Sequence, residues 1–135
     1  MKSVLLAVGG TTHSMKAAET AVSLGNDHFY HIVHVVSPSE SKHDAWLGWD
    51  KEKLQLERKQ KLKPITDLFD EKGLRYVVHF LKGEPAEKII EFANAHPIDL
   101  IVVGSRGLNK FQEFVLGSVS QEVLHLSKVP VLIVK

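Results

Sequence analysis

The sequence predicts an α/β fold of the Rossmann-like kind: one domain over residues 1–135, an open five-stranded parallel sheet with helices on both faces. Three observations predict it. Strand-like and helix-like segments alternate from end to end in the order β-α-β-α-β-α-β-α-β. The strand segments are near-continuous apolar runs, the pattern of strands covered on both faces. Two of the strand runs end on glycine, at Gly9 and Gly104, where ligands of open parallel sheets bind.

Each element follows from its local pattern. Ser3 to Val8 is an apolar strand. Thr12 or Ser14 can cap the next helix, whose Ala17, Ala18, Ala21 and Val22 share one face. Phe29 to Val36 is the second strand, ended by Ser37-Pro38. Residues 37–50 read as a polar, irregular loop apart from Trp46, Leu47 and Trp49. Lys51 to Lys72 is a charged helix with an apolar stripe of Leu54, Leu62, Ile65 and Phe69, and Gly73 is its C-cap. Pro64 lies inside it, lacks a backbone donor, and predicts a kink or break just before it. Arg75 to Leu81 is the third strand, and Pro85 opens a helix to about Ala95. Asp99 to Val103 is the fourth strand. Ser118 with Gln121 forms a candidate capping box for the last helix, and Val129 to Val134 is the fifth strand.

Composition narrows the function classes. The chain has 135 residues, enough for a domain that buries roughly 68% of its unfolded surface. Its formal net charge of +1 gives no global field toward nucleic acid or an anionic membrane. No apolar run reaches the length of a membrane span. Residues 4–8 are too short for a signal-peptide core, so a cytoplasmic location is expected. Zero cysteines exclude disulfides and thiolate zinc sites. Eight histidines invite a metal reading, but none pairs at i, i+4 on a helix, and His28 and His34 share a strand face that His31 does not. No metal site and no catalytic residue is therefore assigned. No nucleophile elbow or P-loop is present either.

The chemistry is concentrated near the end of the chain. Gly104-Ser-Arg-Gly107, then nine residues, then Gly117-Ser118-Val119-Ser120 form a spaced glycine set between a buried strand and a helix. Glycine lets backbone approach a ligand with no Cβ in the way. The free N–H groups of a helix start attract an anion. Together they describe a phosphate cradle in two pieces, and Arg106 can add a charge-assisted bond. The plainer alternative is a loop that spends its glycines on turns and its serine on a cap.

This Gly-x2-Gly-x9-Gly-Ser pattern resembles the ATP-binding signature of the universal stress protein family. The resemblance spans nearly the whole chain. Val4-Leu-Leu-Ala-Val8 with Gly10-Thr-Thr-His-Ser14, then His34-Val35, then Gly83-Glu-Pro-Ala-Glu87, and the stretch from Asp99 to Val134 are each similar to the corresponding family segments. It implies the strand order 3-2-1-4-5 and binding of ATP or AMP, with Mg²⁺ accompanying ATP. By position, Val35 would meet the adenine through its backbone. Val103, Gly104, Gly107, Gly117, Ser118 and Val119 would surround ribose and phosphates. Ala7, Val8, Gly9, Arg106 and Ser120 complete the set of candidate nucleotide-binding residues. The resemblance also implies a homodimer through the Val129–Val134 edge strand.

One departure stands out. The family usually carries Asp at the end of the first strand, where this chain has Gly9. The loss of that carboxylate alters the sugar and metal side of the site, while Gly9-Gly10 frees backbone N–H groups that compensate in part. The same residues faintly resemble the pyrophosphate loop of ATP pyrophosphatases, which wants a serine before and an aspartate after the glycines; both are missing. The expected function is a nucleotide-binding stress-response sensor or regulator. The alternatives are a slow ATPase or adenylyl-transfer enzyme, or a dimeric scaffold with an empty site. Trp46 and Trp49 are expected to anchor the 37–50 loop to the body.

Overall fold

The computed structural model describes residues 2–9, 12–105 and 118–135. Ten elements follow in order: β1 (Lys2–Val8), α1 (Thr12–Val22), β2 (His28–Val36), α2 (Pro38–Leu47), α3 (Lys51–Glu71), β3 (Arg75–Lys82), α4 (Pro85–Ala95), β4 (Leu100–Gly104), α5 (Ser118–Leu126) and β5 (Val131–Val134). The sheet runs β3-β2-β1-β4-β5, and every neighbouring pair is parallel. The winding reverses between β2-β1 and β1-β4, so the first and fourth strands are neighbours.

Side-chain alternation divides the core into two layers. On one face Val4, Leu6, Val8, Tyr30, Ile32 and Val102 pack with Ala17, Ala18 and Ala21 of α1 and Leu62, Ile65 and Phe69 of α3. On the other Leu5, Ala7, Val33, Val35, Ile101 and Val103 pack with Ala86, Ile89 and Phe92 of α4 and Val123 of α5. The central strands are apolar over most of their length because both their faces are covered, with His31 and His34 of β2 as polar exceptions.

Four local expectations need correction. The 37–50 segment is not an irregular loop, because α2 occupies most of it. Ser37 caps that helix, its Oγ accepting from Glu40 N at 3.2 Å, Pro38 opens it, and Gly48 closes it with φ 69°. Ser37-x-x-Glu40 has the spacing of a capping box, a signal stronger than the polar composition around it. Second, α3 runs through Pro64 without a break. Packing of Leu62, Ile65 and Phe69 on α1 and the sheet outweighs one missing donor. Third, Trp46 does not anchor this segment: it is 83% exposed. Fourth, Ser14 lies within α1 and spends its hydroxyl on Gly9 N rather than on a helix N–H.

The remaining ends follow their caps. Gly73 has φ 66°, and the bonds Gly73 N to Asp70 O and Leu74 N to Phe69 O close α3 in a Schellman arrangement. Asp99 precedes β4, its Oδ2 accepting from Ser3 N at 2.8 Å. β5 begins at Val131, and Pro130 contributes a carbonyl that accepts from Ile101 N at 3.0 Å.

Candidate functional site

The carboxyl ends of β1, β2 and β4 form one rim. Leu6 lies opposite Val102, and both strands run two residues further, to Val8 and Gly104. The two glycine-bearing strand ends thus share the crevice at the reversal of the winding, the place where open α/β sheets bind ligands. Ala7, Val8 and Gly9 sit at the end of β1, Val35 at the end of β2, and Val103 and Gly104 at the end of β4. Ser118, Val119 and Ser120 form the first turn of α5. Arg106, Gly107 and Gly117 lie outside the described residues.

Hydrogen bonds hold these ends in place. Ser105 is buried, its N–H donating to Val134 O at 2.7 Å, and Ser120 Oγ donates to Ser105 O at 3.2 Å. The start of α5 is therefore tied directly to the end of β4. Gly9 N donates to Ser14 Oγ at 2.7 Å, which ties the end of β1 to α1. Among the described residues, a Cβ built on Gly9 would meet Ser14 Oγ alone, at 3.8 Å, an ordinary contact. Gly83 N donates to Val36 O at 3.0 Å and fixes the turn between β3 and α4 against the end of β2. Gly83 takes φ 141°, and a Cβ there would lie 2.7 Å from Lys88 Cε. That backbone demands glycine at this turn.

The α2–α3 side of the rim is lined by ionisable groups. A cavity of about 470 Å³ opens between Gly9, His34, Glu40, His43, Asp44, Trp49, Arg58 and Lys61. His34 is buried. Its Nδ1 lies 3.0 Å from Val8 O, and since a carbonyl only accepts, Nδ1 carries the proton. Its Nε2 faces Glu40 Oε2 at 3.5 Å. Arg58 Nη2 pairs with Asp44 Oδ2 and joins α2 to α3. Lys53 Nζ stands 4.5 Å over the Trp49 ring.

His34, Glu40, Asp44 and Arg58 were not singled out as site residues from the sequence. His34 offered one signal, a polar residue at the carboxyl end of a buried strand. The other three sit on α2 or pair with it, and that helix was read as a loop.

The chain matches the Universal stress protein family over residues 1–135. It belongs to the universal stress protein family. Universal stress protein MJ0531 of Methanocaldococcus jannaschii is 31% identical over 139 residues, 99% of this chain and 82% of the relative. Universal stress protein YxiE of Bacillus subtilis is 33% identical over 144 residues, covering 98% and 97%. Among solved structures, hypothetical protein MJ0577 superimposes with a TM-score of 0.84 at 26% identity, covering 99% of this chain and 95% of the other. An Arabidopsis thaliana family protein solved with AMP bound has a TM-score of 0.71 at 21% identity, covering 100% and 92%. An Archaeoglobus fulgidus universal stress protein in complex with dAMP has 0.63 at 22%, covering 100% and 98%. At such identities the last two establish likeness of fold. This universal stress protein therefore has the sheet order 3-2-1-4-5 that the resemblance implies.

Proposed function

We propose that this protein binds an adenine nucleotide, ATP or AMP, at the β1–β4 rim and acts as a nucleotide-responsive stress regulator in a homodimer. The observation that carries the reading is the convergence of Gly9, Gly104 and the α5 N-terminus, locked by the Ser120–Ser105 bond. The N-terminus of α5 supplies the anion site, since the N–H groups of Gly9 and Ser105 are spent on Ser14 Oγ and Val134 O. Relatives of the same fold solved with AMP and dAMP support the choice of adenine. The edge position of the apolar β5 supports pairing with a second copy.

The geometry favours binding over turnover. Hydrolysis needs a group that positions water in line with the γ-phosphate and a metal clamp on the developing charge. Among the described residues at the ends of β1 and β4 and the start of α5, the polar side chains are Ser14, Ser105, Ser118, Ser120 and Gln121, all neutral, while the ionisable groups that share the cavity with Gly9 stand on the α2–α3 side. Amides and hydroxyls hold ground state and transition state alike, and uniform binding does not accelerate chemistry.

The test is direct. Purified protein is denatured and any released nucleotide identified, and ATP and AMP are titrated calorimetrically. A retained adenine nucleotide or saturable micromolar binding is expected; neither, up to millimolar ligand, would sink the reading in favour of an empty scaffold. Phosphate release under saturating Mg-ATP is expected well below about 1 s⁻¹, and turnover at or above that rate would make the protein an ATPase.

A further inference from the structure

Away from the rim, three histidines from three different segments meet on the α4 face of the sheet. His31 of β2 and His79 of β3 lie side by side, Nδ1 of His31 being 3.1 Å from Nε2 of His79. Their rings are stacked with centroids 5.3 Å apart. His96, just past the end of α4, stands with its ring 5.9 Å from His31 and 6.4 Å from His79. Phe92 of α4 is the hub: its ring stacks on His96 at 3.9 Å and lies 4.7 Å from His79 and 5.4 Å from His31. The last turn of α4 therefore rests on imidazoles.

We propose that this cluster is a proton-operated release for α4: the His31–His79 pair accommodates one proton, and a second detaches the C-terminal half of the helix from the sheet. The argument is a proton count. In the neutral pair one bridging nitrogen carries the hydrogen and the other accepts it. The donor ring has a bare outer nitrogen, and the acceptor ring a protonated one. A first added proton goes to the bare outer nitrogen. The bridge survives and becomes charge-assisted. A second proton has one place left, the bridging nitrogen that was the acceptor. Two N–H groups then face each other across the former bond, and two cations stand in contact. His96 is not hydrogen-bonded to the pair: its Nδ1 donates to Phe92 O at 3.0 Å, and its ring lies 5.9 and 6.4 Å from theirs.

The surroundings supply no counter-charge bonded to the cluster. On β3 the same face carries Arg75, a further cation. β1 presents Ser3, Leu5 and Ala7 there. α4 carries Glu84, Glu87, Lys88 and Glu91, and Glu91 is paired with Lys88 at 3.1 Å. Asp99 is spent on Ser3 N. α5, packed on α4, carries Glu122 and His125, both exposed. No carboxylate among the described residues is bonded to any of the three rings. Burial first, then the charges of His79 and His96, hold His31 below the ordinary imidazole range; burial and then His96 do the same to His79. The unfolded chain thus binds protons that the fold refuses. Stability is complete above about pH 6.5 and falls as pH drops from there.

The experiment is urea unfolding from pH 8 to pH 5 of the wild-type chain, the His31→Phe/His79→Phe double variant and the exposed control His125→Gln. Replacing both partners removes the bond without orphaning either. The wild-type unfolding constant is expected to rise with acidification by about tenfold per pH unit more than that of the double variant, the signature of one extra proton taken up on unfolding. The control is expected to track the wild type. Parallel curves for wild type and double variant would overturn the proposal. Should the double variant not fold, imidazole nitrogen resonances of the wild type decide. Joint uptake of one proton, with the second entering only as amide protection is lost in α4 but kept in α1, supports it. Independent titration of His31 and His79 near the ordinary value, with α4 protection unchanged, refutes it.

Discussion

The two faces of the sheet are equally apolar at their centres and opposite in their response to pH. On the α1–α3 face, beside His28 and His34, two tyrosines are held above the ordinary phenol range. Tyr30 is fully buried, donates to Gly25 O at 2.6 Å and lies 3.2 Å from Ala21 O. Tyr76 donates to Asp70 Oδ1 at 2.8 Å. Burial raises the Tyr30 hydroxyl, while burial and then the Asp70 bond push Tyr76 up to about 12. On the α4–α5 face the titratable members are His31 and His79, both lowered. A raised acid is protonated and neutral throughout the physiological range, so the stability tied to these tyrosines is lost only above about pH 10. A lowered imidazole loses it below about pH 6.5. The lesson is that burial sets how much a layer contributes, whereas the ionisation chemistry of its few polar members sets when that contribution fails.

The largest test of that contrast is Phe69→Ala. Phe69 is fully buried and packs edge-on against Tyr30 and Tyr76, at 5.2 and 5.6 Å between centroids. Its truncation is expected to cost about 3–5 kcal/mol in urea unfolding. The loss should be the same at pH 7.5 and pH 5.5, because the rings that Phe69 touches, Tyr30 and Tyr76, stay neutral between them. A loss that halves on acidification would break the comparison.

Phe92→Ala probes the other face and should behave differently. A cost of about 3 kcal/mol is expected at pH 7.5, the lower end of the range for such truncations, since Phe92 lies at the margin of its layer. The cavity also admits water to His31 and His79 and relaxes both toward the ordinary imidazole value. The wild type pays for refusing protons at pH 5.5 and the variant does not, so the difference between them should shrink there. A penalty that is constant with pH would show that Phe92 packs without controlling the histidines.

Tyr30→Phe is a smaller change, about 1 kcal/mol for one buried hydroxyl bond. Between pH 6 and 9 the offset from wild type should be flat. Above pH 10 the wild type sheds stability as the unfolded tyrosine ionises and the folded one cannot. The variant lacks that contribution, so the two curves should converge. Thermal melts from pH 8 to pH 11 measure it, and a constant gap would be the contrary result.

Much of this architecture was legible from residue patterns. Continuous apolar runs such as Leu5 to Val8 and Leu100 to Val103 announced buried parallel strands, and Gly73 and Pro85 announced a helix end and a helix start. What escaped was set by contacts between distant segments. The strand neighbourhood of Val8 and Gly104 depends on crossover order, which local spacing does not encode. His31, His79 and His96 are 48 and 17 residues apart along the chain, and only the β2–β3 register with α4 above it brings them together. α2 was missed for another reason: it buries no residue, so it has no apolar stripe to betray it, and its evidence lies in its caps alone. The rim followed the same division. Gly9 and Gly104 were visible as glycines after strands, whereas His34 owes its place to Val8 O across the sheet.

Gly9 lies where the two faces meet, after Val8 of one layer and Ala7 of the other, and it offers the smallest and most specific test. The described residues leave room for a side chain, with a built Cβ no closer than 3.8 Å to Ser14 Oγ and no positive φ to strain it. Gly9→Asp should therefore fold with little change in stability. Its effect belongs to the rim, where it adds a carboxylate to a side furnished with amides and hydroxyls. Alone, that charge repels nucleotide phosphates. With Mg²⁺ present, a carboxylate and phosphate oxygens are the ligand set this ion prefers. The wild type, lacking the acid, should bind ATP with little dependence on Mg²⁺. In the variant the ratio of Kd without Mg²⁺ to Kd with it should grow by about tenfold, or about 1.4 kcal/mol. Calorimetric titration in Mg²⁺ and in EDTA reads both values. An unchanged ratio in a folded variant would place the phosphates away from the end of β1 and would reassign that strand end from the ligand to the α1 contact made by Ser14.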